Sequence, residues 1–252
     1  MNSFTHKMLM TRRRWMKQAQ YFLRRHPVAL TRHGRRAISS GPRIFANSIP
    51  KAGTNLLRRT VNLLPCVVPR WTYHLDERIP GTMKQLQYVH RGQAVTAHMG
   101  WSRELVELLQ SREFRIFFIL RDPRDVLASF VDYVTRRDPS HHLHAYFNSL
   151  ASDDERLMAS ITGIDGRQLP RGIPLPSVGE QLDSYLPWLD EPDCLTFSFE
   201  DLVGRSGGGD DSKQVETVAA IIEHLGLRAT RKEIDDLAGQ VFYRKSRTFR
   251  KG

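Results

Sequence analysis

Apolar positions along the chain fall into two rhythms. IFANSI at 44–49, AVTAHM at 94–99, RIFFIL at 115–120 and LTFSF at 195–199 are short runs with the length and composition of strands. RIFFIL is almost without polar residues, as expected of a strand covered on both faces. Helical spacing predicts helices over 54–63, from Ser102 onward, over 124–136, from Ser152 to about Ile161, and over 178–189, 212–225 and 230–240. Ser152 with Glu155 reads as a capping box, and Gly226 as a C-terminal stop. GRSGGGDD at 204–211 reads as a flexible turn, because no motif frames its glycines as a phosphate nest. Strands alternating with helices predict a three-layer α/β fold: a central, mainly parallel sheet with helices on both faces.

Charge divides the chain further. Its 252 residues carry a net +11, and eleven of the 38 Lys and Arg residues lie in positions 1–43, which hold no Asp or Glu. The rest carries equal numbers of acidic and basic residues, so the body is neutral and 1–43 reads as a basic N-terminal arm, with 44–252 as the domain. Met8, Leu9, Trp15, Met16, Phe22 and Leu23 recur in the arm at roughly helical spacing. Such a helix suits a solvated face or an anionic membrane surface, and less readily nucleic acid. The arm lacks the apolar core of a secretory signal, and although Arg-rich and acid-free like a transit peptide it holds few serines. No run approaches the length of a membrane span. Cys66 and Cys194 stand far apart in no metal-ligand pattern, which favours free thiols in a reducing compartment. A cytoplasmic location is expected, with the arm leaving association at a membrane surface open.

Candidate chemistry begins at PKAGTN, 50–55. A strand, a glycine and a helix start place backbone amides and a helix dipole where an anion would be held. Lys51 supplies a mobile charge, Gly53 a tight backbone and Thr54 a hydroxyl. The kinase-type phosphate loop is excluded, since its lysine follows the second glycine and directly precedes Ser or Thr. RDPRDVLASF at 121–130 is a second strand end, with Arg121 suited to another phosphate and Ser129 eight residues on. The alternative for Arg121, Asp122, Arg124 and Asp125 is a capping and ion-pair cluster, in which Asp122 and Asp125 are expected to share. Two phosphate sites at neighbouring strand ends suggest a ligand with two separated phosphates.

PKAGTN resembles the PKSGT-type loop of the sulfotransferases that use 3′-phosphoadenosine-5′-phosphosulfate (PAPS), and RDPRDVLASF resembles that family's 3′-phosphate motif. FSFEDLVG at 197–204 is similar to its YEDL strand end, and SRTFRKG at 246–252 to its FRKG loop. The resemblance spans about 44–252. It implies PAPS as sulfuryl donor and no metal. Lys51, Ala52, Gly53, Thr54 and Asn55 would hold the 5′-phosphosulfate, and Arg121, Ser129, Phe249, Arg250, Lys251 and Gly252 the 3′-phosphate side. Lys51 would stabilise the leaving phosphate during in-line transfer. His98, at the end of AVTAHM, matches the family's basic strand end, although Thr96 replaces its usual lysine and some relatives use Glu as base. Among the other histidines, His74, His90, His141, His142 and His144 carry no motif and suit the surface or the acceptor pocket. Ala52 replaces a usual Ser, Asn55 a frequent Thr, and Phe199 a frequent Tyr. The match stops at Gly252, where family members continue with a G-x-W-K-like stretch, so the nucleotide loop is expected to be short or cut there. The expected acceptor is a hydroxyl or amine on a small molecule, lipid or glycan, with 70–92 and 132–190 building its pocket. The alternative is a degenerate relative that binds a nucleotide or an anionic partner without turnover.

Overall fold

The computed structural model describes residues 32–68 and 72–242; Phe249, Arg250, Lys251, Gly252 and most of the basic arm lie outside them. The chain runs α1 (Arg32–Ser40), β1 (Arg43–Ser48), α2 (Thr54–Leu63), β2 (Thr72–Asp76), α3 (Thr82–Leu86), β3 (Ala94–His98) and α4 (Arg103–Ser111). β4 (Phe114–Leu120) and α5 (Pro123–Asp132) follow, and α5 continues as a π-helical turn over Tyr133–Arg137. Then come α6 (His144–Ser149), α7 (Asp153–Thr162), α8 (Val178–Tyr185), β5 (Cys194–Ser198), α9 (Phe199–Val203), α10 (Asp211–His224) and α11 (Arg231–Val241). The sheet order is β2-β3-β1-β4-β5, with every pair parallel.

The inner strands are largely apolar because both faces of the sheet are covered. Successive residues of β1 and β4 alternate between two cores. Ile44, Ala46, Phe117 and Ile119 pack with Leu57 and Val61 of α2 and with Val218 and Ile221 of α10. Phe45, Ile116 and Phe118 pack on the opposite face with Leu105 and Leu109 of α4 and with Trp188. A sheet buried on both sides has no solvated face on which to carry polar groups, so the polar residues collect where the strands end.

Most predicted elements are found within one or two residues. β2 is the main exception: TYHLD lies in a segment expected to form a loop, and as an edge strand with polar positions it lacks the apolar run that marks the inner strands. The Ser152 cap forms in part. Ser152 accepts from the Glu155 amide, but the Glu155 carboxylate takes the amide of Ala151. Complete boxes occur at Ser177–Glu180, Ser198–Asp201 and Thr230–Glu233. The first described helix, α1, lies inside the segment read as the arm and packs its buried Ala37 with Val68. Among the described residues no helix is long and apolar enough to cross a membrane.

Phe117, fully buried between Phe197 and His224, is expected to be central to the core beneath α2 and α10. Phe117→Ala should lower unfolding stability by about 3–5 kcal/mol in urea titrations. Tyr88→Ala, at a 63% exposed position, should change it by less than about 0.5 kcal/mol.

Candidate active site

All strands being parallel, their carboxyl ends share one edge of the sheet. Register sets Asn47 of β1 between Ala97 and Phe118, Asp76 beside His98, and Leu120 beside Ser198. The loop after β1 is tight: the Ala52 amide donates to Ile49 O, Lys51 has φ 72 and Gly53 has φ 110. A side chain at Lys51 makes that left-handed backbone uncommon. Gly53 is also the N-cap of α2, so no side chain satisfies the first-turn amides. A Cβ on Gly53 would lie 2.6 Å from the ring of Phe199. The loop is therefore a bare, amide-lined helix start of the kind that holds an anion.

Ala52 is fully buried in the core, so its methyl packs and its own amide is already used. Thr54 Oγ1 lies 2.7 Å from Ser48 Oγ, while Asn55 Oδ1 accepts from Arg58 on its own helix. Lys51 is half-buried, with its ammonium 4.0 Å from the centre of the Tyr133 ring. Burial pulls the ammonium below its usual range; Asp132 opposes this, and Arg121 and Arg137 add to it.

His98 ends β3 directly beside this loop. Its Nδ1 lies 2.8 Å from Ser48 O and 3.3 Å from Ser48 Oγ. The carbonyl can only accept, so Nδ1 carries the proton and Nε2 keeps its lone pair. Burial lowers the pKa of His98, which favours the neutral imidazole. The following residue is fixed from two sides. Buried Asn47 donates to Met99 O and accepts from Met99 N, and Trp188 Nε1 also donates to Met99 O. Asn47 and Trp188 were not legible as site residues, although a polar Asn closing an apolar strand was a usable signal. His74, exposed at the sheet edge, meets His98 edge to face at 4.5 Å, and desolvation of its ring together with the neighbouring His98 pushes its pKa down to about 4.

Arg121 follows β4 and lies 4.5 Å over the Phe199 ring. Its Nη2 donates to Asp125 at 3.0 Å; its buried Nε has no hydrogen-bond partner and stands 3.9 Å from Glu200. Asp122 caps α5 through the Arg124 amide and pairs with the Arg124 side chain. The capping cluster thus exists beside Arg121, sharing Asp125 with it. Ser129 sits two turns along α5, half-buried. Phe199 touches both regions, its ring lying against Gly53 on one side and under Arg121 on the other. The sequence marked it only as a replacement for Tyr. Away from the edge, His141 stacks on His142 and meets Tyr133, and burial lowers its pKa to about 4. Among the described residues no group of three His, Cys, Asp or Glu side chains is placed to hold a metal ion.

The low values at His74 and His141 set a pH window. Above the ordinary value of 6.5 neither affects stability; between 6.5 and about 4 the unfolded chain takes up protons that the native chain refuses. Thermal stability is therefore expected to fall on acidification from pH 7 to 5, and His74→Gln with His141→Gln should flatten that fall in melting curves.

No protein-family model matches the chain, and no curated protein matches it either. Solved structures do resemble it. The mouse sulfotransferase SULT7A1 complexed with PAP (3′-phosphoadenosine-5′-phosphate) is similar at a TM-score of 0.53 and 16% identity, over 85% of this chain and 71% of that one. Retinol dehydratase is similar in two structures. Its complex with androsterone and inactive cofactor PAP gives a TM-score of 0.48 at 14% identity, and its complex with retinol and PAP gives 0.49 at 15%. Both alignments cover 82% of this chain and 66% of that enzyme. At these identities the likeness bears on architecture, and by the first of these comparisons the chain has the α/β fold of the mouse sulfotransferase.

Proposed function

We propose that the protein is a PAPS-dependent sulfotransferase acting on a hydroxyl or amine of a small molecule, lipid or glycan. The observation that carries this reading is the pairing of two anion sites through one ring: the bare helix start at Gly53 and the Arg121 guanidinium both lie against Phe199. The residues fit a nucleotide with separated phosphates. Gly53 lets the Phe199 ring pack against the bare helix start, and the buried Arg121 Nε is a donor awaiting an acceptor.

Bound PAPS would supply the sulfuryl group. The first-turn amides of α2, Thr54 and Lys51 would hold its 5′ end; Arg121 and Ser129 would hold the 3′-phosphate. Lys51, partly desolvated, would meet the charge that develops on the leaving phosphate. His98 Nε2 would take the proton of the acceptor hydroxyl or amine, with Ser48 O keeping Nδ1 protonated and the ring oriented. The location proposed with this activity is cytoplasmic, with the basic charge of residues 1–43 suited to an anionic membrane surface.

Calorimetry with PAP at low salt tests the reading. The folded wild type should bind, and Lys51→Ala and Arg121→Ala should each weaken binding by about 10- to 100-fold, the value of a charge-assisted hydrogen bond. Absence of binding by the folded wild type, or binding indifferent to both changes, overturns it.

Transfer from labelled PAPS to an acceptor found by screening then tests His98. His98→Gln should leave PAP affinity within about twofold while lowering turnover by about 100-fold or more. Because burial lowers the His98 pKa, wild-type turnover should be level through neutral pH and decline only below the ordinary 6.5. A binding protein without turnover would show the affinity and no transfer.

A further inference from the structure

We propose that Tyr133 is a positioning residue that holds the Lys51 ammonium at the mouth of the phosphate loop. The inference rests on reading that loop as the site of the 5′-phosphate. Lys51 lies over the Tyr133 ring at 4.0 Å, and among the described residues it has no carboxylate within ion-pair distance. The nearest candidate by charge, Asp132, is engaged by Arg136 at 3.3 Å and Arg137 at 3.5 Å. The ring is therefore the contact that fixes where this half-buried cation sits.

Tyr133 is itself held firmly. Its hydroxyl donates to Asp138 at 2.9 Å, and Asp138 also accepts from the Ser140 amide and hydroxyl. The edge of His141 closes on the ring at 6.1 Å. The π-helical turn makes this possible: the Asp138 amide donates to Tyr133 O, five residues back, which adds a residue to the turn after α5. Such turns are frequent at functional sites. Tyr133 also continues the helix that carries Ser129 and begins just after Arg121. It thereby ties the lysine of one phosphate site to the helix of the other. The left-handed backbone of Lys51 belongs to the same device, since it presents a long side chain from a loop built around glycine. A free ammonium on four methylenes would lose rotamer freedom on binding phosphate; one already placed over a ring loses less.

Two readouts test this on the full chain. In the wild type, the Lys51 ε-methylene resonance, assigned through Lys51→Arg, should be shifted upfield by the ring current. The shift should persist in Tyr133→Phe and Tyr133→Trp and vanish in Tyr133→Leu. In calorimetry, Tyr133→Leu should weaken PAP binding by about fivefold to thirtyfold, the range of a partly desolvated cation–π contact, while the two aromatic variants stay near wild type. Lys51→Ala with Tyr133→Leu should bind no more weakly than Lys51→Ala alone. Should Tyr133→Leu fail to fold, Tyr133→Phe and Tyr133→Trp still decide, since a Lys51 ring shift lost in either with PAP affinity unchanged would separate the affinity from the ring and overturn the role. An unshifted Lys51 resonance in the wild type, or additive losses in the double variant, overturns the positioning role alone. Absence of PAP binding by the wild type, with the ring shift present, overturns the nucleotide reading and the positioning role with it.

Discussion

One constraint governs the rest: five strands run in the same direction through a sheet covered on both sides. Parallel neighbours cannot be joined by tight turns, so each strand must return across a face through a helix or a long crossing. Those crossings bury both faces, and burial makes the strands apolar. Ile44 through Ala46 and Ile116 through Ile119 are all fully or almost fully buried. Polar chemistry is then confined to the ends. On β1 the change comes within one step, from Ala46 to the buried Asn47 and Ser48. Buried polar groups need partners, and here the partners are the neighbouring strand ends: Asn47 is satisfied by the Met99 backbone, and Ser48 by Thr54 and His98. The hydrogen bonds that make burial tolerable also orient the imidazole.

The glycine at 53 illustrates how packing and chemistry share a residue. Its φ of 110 belongs to glycine, and its missing side chain leaves room for the Phe199 ring. Either requirement alone would forbid substitution. Lys51, two residues earlier, adopts a left-handed backbone despite its side chain, at roughly 1–2 kcal/mol. The short loop from Ile49 to Thr54, closed by the Ala52–Ile49 hydrogen bond, makes the backbone hold that conformation. Strain of this size survives where the surroundings fix it and is concentrated at sites that bind or react.

The inner strands and the helices that follow them were legible because burial on both faces leaves continuous apolar runs and because caps have sequence signatures. RIFFIL and the Gly226 stop are examples. TYHLD lacks the continuous apolar run of the inner strands, and its polar-apolar alternation covers only five residues, a period-2 signal too short to stand out. The site divides in the same way. Lys51, Gly53 and Arg121 could be proposed because each lies in a short motif with a local mechanism. Asn47 and Trp188 could not, because their role depends on meeting Met99 from positions 52 and 89 residues away in the chain. Tyr133 was hidden for a related reason. Its contact is with a lysine 82 residues earlier in the chain, and helical periodicity over 124–136 gives no sign of that meeting.

The charges around Arg121 finally bear on whether a site with carboxylates in it could receive the proposed polyanion. Asp125 and Glu200 both attend the guanidinium, which at first favours the capping interpretation of this cluster. Their side chains are 55% and 47% exposed, however, whereas that of Arg121 is 22% exposed. Ion pairs with exposed partners contribute about 0–1 kcal/mol each, because water solvates the carboxylate almost as well when it is released. A phosphate hydrogen-bonded to the same guanidinium is worth about 1.5–3 kcal/mol and also satisfies the Nε left without a partner. If Arg121 takes the proposed phosphate, the balance would favour exchange, with Asp125 and Glu200 giving up the guanidinium to the ligand. On this view the acidic neighbours are part of how the arginine is kept in place, and an anionic ligand releases them to solvent.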